Sequence, residues 1–191
     1  MKSIPFLFLI FSIIITSCNY DAKKSALVKR HKQPTRPDAV DTNKILLSRT
    51  YLHAFSDQSK LDTFKLIIRG SSINTGSLKF EIISYKNEKI YNENYSAVDL
   101  LGDLDDLSAK ESEDTIKSRF SHFFNPDDFY TPALDRKLDL TDTDYVDINT
   151  QKDISADPTA VGFIYSIGYE TSLEIAYSKK QKKTLVCYAS D

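Results

Sequence analysis

Between residues 64 and 85 the chain alternates apolar and polar side chains with a period of two. In "FKLIIRG" Phe64, Leu66 and Ile68 share one face against Lys65 and Arg69, and in "SLKFEIISY" Leu78, Phe80 and Ile82 share one face against Lys79 and Glu81. Successive side chains of a strand point to opposite faces, so this period predicts strands with one buried and one wet face. After the polar turn "KNEK", the segment "IYNENYS" (90–96) returns, which makes 77–96 a hairpin.

The same pattern recurs near the C-terminus. Val161, Phe163, Tyr165, Ile167 and Tyr169 alternate in "VGFIYSIGY", followed by Leu173, Ile175 and Tyr177 in "SLEIAYS" and by "TLVCYA". The intervening "KKQKK" reads as a charged hairpin tip, which discourages edge-to-edge aggregation. "ILLSRTYLHAF" (45–55) is a further strand with poor alternation.

One helix interrupts the strands. In "SAKESEDTIKSRFSHFFNP" Ser108 and Glu111 have capping-box spacing, Ile116, Phe120, Phe123 and Phe124 recur at helical spacing, and Asn125-Pro126 stops the run. Such a Phe stripe docks on a sheet; a lipophilic ligand site is the alternative use. The expectation is one α+β domain over 45–191, antiparallel and β-rich, with about six or seven strands and one main amphipathic helix between two groups of hairpins.

The N-terminus is of another kind. Lys2, an apolar stretch from Ile4 to Ile15, then Thr16, Ser17 and Cys18 follow the layout of a secretory signal. The run is about a dozen residues, short of the roughly 20 that span a bilayer. Ile15, Thr16, Ser17 and Cys18 in "IITSC" resemble the lipobox of bacterial lipoproteins, with Ile15 where Leu is usual. The resemblance covers residues 1–18. It implies cleavage before Cys18, acylation of that cysteine, removal of 1–17 and attachment to a membrane through N-terminal acyl groups. Cys187 would then have no disulfide partner, since the chain has only two cysteines, and is expected as a small buried hydrophobe in a strand.

Residues 18–44 read as the lipidated cysteine and a basic tether. Pro34 and Pro37, scattered charge and little periodicity mark a linker. Its seven cations (Lys23, Lys24, Lys29, Arg30, Lys32, Arg36 and Lys44) face three acids (Asp21, Asp38 and Asp41). The body, with 17 basic and 24 acidic residues, carries about −7. A basic stretch beside the lipid can rest on anionic headgroups or be a plain solvated linker. The acidic body argues against nucleic acid as a partner. "CNYDAKKS" departs from the acidic stretch that sends some lipoproteins to the cell exterior, and Asn19 is not the aspartate of inner-membrane retention. The expected location is therefore the outer membrane, facing the periplasm.

Motifs for chemistry are sparse. His31 lies in the tether, His53 at a strand end and His122 on the helix. No H-x-x-x-H, H-E-x-x-H or C-x-x-C spacing is present, nor a G-x-S-x-G elbow, and "RGSSINTG" meets neither phosphate-loop nor dinucleotide spacing. No cofactor is implied, and no catalytic residue is assigned. Asp139, Asp142, Asp144 and Asp147 in "DLTDTDYVDIN" could supply oxygens to Ca²⁺, but the Gly and the closing Glu of an EF-hand are missing, and ordinary turns use the same residues. "DLLGDLDDL" (99–107) reads as a loop leading into the helix rather than a glycosidase carboxylate pair.

Two functions stay open on this reading. One is a lipid-anchored, non-catalytic periplasmic module that binds an unidentified protein or envelope component. The other is a small periplasmic hydrolase or a carrier of lipophilic ligands. A pocket joining His53 or His122 to an acid and a hydroxyl would favour the enzyme. A filled core with an unpaired strand edge would favour binding.

Overall fold

The computed structural model describes residues 43–134, 146–168 and 171–190. The lipobox residues Ile15, Thr16, Ser17 and Cys18, the tether with His31, and Asp139, Asp142 and Asp144 lie outside them. Eight strands form two antiparallel sheets of four, with the strands in sequence order in each. The first sheet holds β1 (Ile45–His53), β2 (Asp62–Arg69), β3 (Ser77–Ile83) and β4 (Lys89–Ser96). A 3-10 turn (Ala97–Leu101) and helix α1 (Ala109–His122) follow. The second sheet holds β5 (Phe129–Tyr130), β6 (Gly162–Ser166), β7 (Ser172–Ser178) and β8 (Lys183–Ser190), with a short helix α2 (Ile148–Ser155) between β5 and β6. The chain is thus the α+β domain expected, its main helix between two antiparallel groups.

The period-two pattern accounts for the buried faces. Phe64, Leu66, Ile68, Leu78, Phe80 and Ile82 are all fully buried. β1 alternates poorly because it is an edge strand with no fully covered residue. Phe163 and Tyr165 of β6 supply the opposing face, and the Phe80 ring meets them at 6.1 and 5.2 Å, mostly edge to face. The stripe of α1 closes the same core, with Ile116, Phe120, Phe123 and Phe124 buried in it. Burying each such ring is worth about 2–3 kcal/mol, and each edge-to-face contact adds roughly 0.5–1.5. The space beside the helix is filled by these rings, so the stripe is core.

Local chemistry fixes α1 at both ends. Ser108 Oγ accepts from the Glu111 amide while the Glu111 carboxylate accepts from the Ser108 amide, a complete capping box. At the other end Arg49 of β1 donates to the Phe124 carbonyl at 3.2 Å and lies over the Phe124 ring. A cation on the last carbonyls satisfies groups the helix leaves unbonded and complements its dipole. Asp62, fully buried at the start of β2, accepts from the Ser56 amide and hydroxyl and the Tyr85 amide. Cys187 is buried in β8, and no helix among the described residues is long and apolar enough to cross a membrane.

Candidate functional site

At one end of the domain, four separate segments converge on a cleft of about 480 Å³. The last turns of α1 bring Arg119, His122 and Phe123; the 3-10 turn and its exit bring Asp99 and Asp103. Asp128 comes from the approach to β5, and the β6–β7 connection brings Ser166, Gly168, Thr171 and Ser172. Each segment is held by its own bonds. The Gly168 amide donates to the Asp99 carbonyl at 2.8 Å, docking the β6–β7 connection on the 3-10 turn. Asp99 caps that turn through its carboxylate, which accepts from the Ser96 amide. Arg119 Nη1 donates to the Leu100 carbonyl at 3.0 Å. Gly102 follows with φ of +61°, and a Cβ there would stand 2.9 Å from Arg119 Nη1. The positive φ favours glycine there, and a Cβ would push the guanidinium aside.

Tyr165, which lines the cleft, is held from behind by two further phenols. Tyr165 Oη lies 2.7 Å from Tyr91 Oη and 2.8 Å from Tyr95 Oη, tying β6 to β4. Burial pushes all three phenols up, so each stays a neutral hydroxyl. Asp128 is half-buried, and desolvation raises its carboxyl above the ordinary value; the neighbouring Asp127 adds to the shift. No cation is among the groups acting on it.

His122 has Nδ1 2.8 Å from the Ser118 carbonyl. A carbonyl only accepts, so Nδ1 is the donor in this bond. The cleft therefore does gather a histidine with acids and hydroxyls. It does not pair them: Ser166 and Ser172 hydroxyls lie 2.9 Å from each other, and His122 bonds to its own helix and to Ser121. Among the described residues of the cleft, no hydrogen bonds join nucleophile, base and orienting acid in series, the arrangement a triad requires.

Other residues singled out by the sequence have local roles. His53 stacks on Phe129 at 4.0 Å and donates through Nδ1 to the Ala54 carbonyl, outside the cleft. Asp147 is the N-cap of α2, accepting from the Asn149 and Thr150 amides and the Thr150 hydroxyl. Its oxygens are already engaged, and no group of three or more metal-ligating side chains forms among the described residues. "RGSSINTG" is a connection between β2 and β3. The edges of β4 and β8, neither with a further strand in its sheet, flank a shallow groove lined by Ile90, Tyr91, Leu185 and Val186.

Arg119, Asp128, Ser166 and Ser172 carry no motif and were invisible as site residues. Only Asn125-Pro126 after the helix hinted that the chain turns back there.

The architecture is a two-sheet α+β domain with a polar cleft at one end. Set against protein-family models, curated proteins and solved structures, the chain matches none.

Proposed function

We propose that this chain is a lipid-anchored lipoprotein of the bacterial cell envelope whose body is a non-catalytic binding domain, with the end cleft as its recognition site. The observation that carries the binding reading is the bonding inside the cleft: Arg119 and His122 donate to backbone carbonyls and the serines pair with each other. Such groups are held in place to present a surface, rather than coupled for proton transfer. The core beneath is filled by Phe80, Phe123, Phe163 and Tyr165, which leaves no apolar cavity for a lipophilic cargo there. The anchor reading rests on the lipobox-like Ile15, Thr16, Ser17 and Cys18, and the outer-membrane, periplasm-facing location on the residues after Cys18. The net negative body supports a protein or envelope partner over nucleic acid.

A small hydrolase is the second reading, favoured by His122 and the raised Asp128 carboxyl lining the same cleft. Assaying the full chain against ester, peptide and glycan panels separates the two. The binding reading expects no turnover of any panel substrate. Turnover that His122→Gln abolishes establishes the hydrolase instead. The anchor has its own test: wild-type protein carries lipid mass and partitions with membranes, and Cys18→Ser does neither. Wild type without lipid mass or membrane partition overturns it.

A further inference from the structure

The cleft holds charges of both signs that do not pair with each other. Arg119 lines it with Asp103 and Asp128, yet none of the ion pairs among the described residues joins them. Arg119 has five N–H donors and spends one on the Leu100 carbonyl, where Gly102 lets it sit close. The rest of its planar fork suits a carboxylate, which it can bind through two parallel bonds. Asp128 presents the complementary group, a part-buried carboxylate in the cleft lining that belongs to none of the ion pairs among the described residues. A half-buried carboxylate in that state gains most from a positively charged hydrogen-bond donor.

The same cleft is also lined by uncharged groups suited to a peptide backbone. Ser166 and Ser172 offer hydroxyls, and Gly168, with φ of +75° and its amide on the Asp99 carbonyl, leaves open space where a side chain would stand. The volume, about 480 Å³, is in the range of small-ligand sites and exceeds a single amino acid. Resting on the binding reading above, we propose that the cleft takes a short zwitterionic peptide, its carboxylate held by Arg119 and its amine by Asp128. Asp103, which is exposed, also lines the cleft.

The test is an NMR titration of the full chain in detergent with Ala-Ala and Ala-Ala-Ala, each also as its N-acetyl and its C-terminal amide form. At least one zwitterion is expected to shift the Gly102, Gly168 and Arg119 resonances, and blocking either end weakens its binding tenfold or more. The two charges are then assigned by variants. In Arg119→Gln the amide binds as well as the free acid while the acetyl penalty remains; in Asp128→Asn the penalties exchange. Because the blocked peptides are compared on wild-type protein, a variant that folds poorly does not spoil the result. Equal binding of free and blocked peptides overturns the proposal, as does the absence of binding at 10 mM, on the order of the weakest affinity a titration resolves. If no peptide binds but a crosslinker placed in the cleft still captures a partner, the ligand class is wrong and the binding reading survives. If neither occurs, both fall.

Discussion

Asp157 and Cys187 have their ionisation altered by the fold in opposite directions, and each makes a residue-scale prediction. Lys179 Nζ lies 2.6 Å from the Asp157 carboxylate and, with the Thr159 hydroxyl, pulls its pKa down to about 2. A depressed carboxylate favours the folded state above the unfolded value of about 4, and that contribution disappears as the pH falls through 4 toward 2. The ion pair is largely exposed, so solvent screening keeps its worth below about 1 kcal/mol. Asp157→Asn should therefore cost less than that at pH 7 in urea unfolding, and the two proteins should converge as pH drops to 2. A gap that is constant or widens in acid would refute this assignment. Cys187 is pushed up to about 12 by burial, with Glu174 adding to the shift. Thiolate is the reactive form, so a disulfide reagent at pH 8 should label Cys187 in a Cys18→Ser chain only as fast as the protein opens. Rapid labelling without denaturant would show that the thiol is not enclosed.

At the scale of elements, α1 was the most legible part of the sequence. Its start is written in Ser108 and Glu111 and its buried stripe in four apolar residues at helical spacing, all of which act locally or against one face. Ser108→Ala removes the acceptor for the Glu111 amide and should lower stability by about 1 kcal/mol, read as a shift of the urea midpoint with an unchanged slope. An unchanged midpoint would mean that packing alone sets the helix start. β2 and β3 were equally plain on their apolar faces, but the other face is only partly exposed, and Glu81, expected outward, is buried against Lys79 and Lys89.

Helix α2 and strand β5 were missed for physical reasons. α2 has only Ile148 and Ile154 as large apolar residues, and it buries Thr150 and Gln151 beside Ile154. It is held by the Asp147 cap and by Gln181 donating to the Thr150 hydroxyl, a contact 31 positions away. Nothing with a helical period announces that. β5 is two residues long, and Phe129 is fixed by stacking on Phe163 at 4.4 Å rather than by alternation.

For the whole molecule, the informative fact is that the cleft is assembled from segments spread over Asp99 to Ser172. No window of sequence contains it, so a reading by motif finds individual histidines and acids but not their meeting place. The opposite end of the domain differs in character. β7 runs from Ser172 in the cleft to Ser178, about 20 Å on, where the β7–β8 turn with Lys179 and Lys182 lies beside Tyr85 and Lys86. The two ends can therefore be probed separately in one protein. The direct measurement places a photo-crosslinking side chain at Asp103, on the cleft rim, or at Lys182, at the far end, in the full chain in its native cell. The account predicts a discrete adduct from position 103, competed away when excess unlabelled wild-type chain is present, and none from position 182. No adduct from position 103, or the same adducts from both, would contradict a recognition site in the cleft.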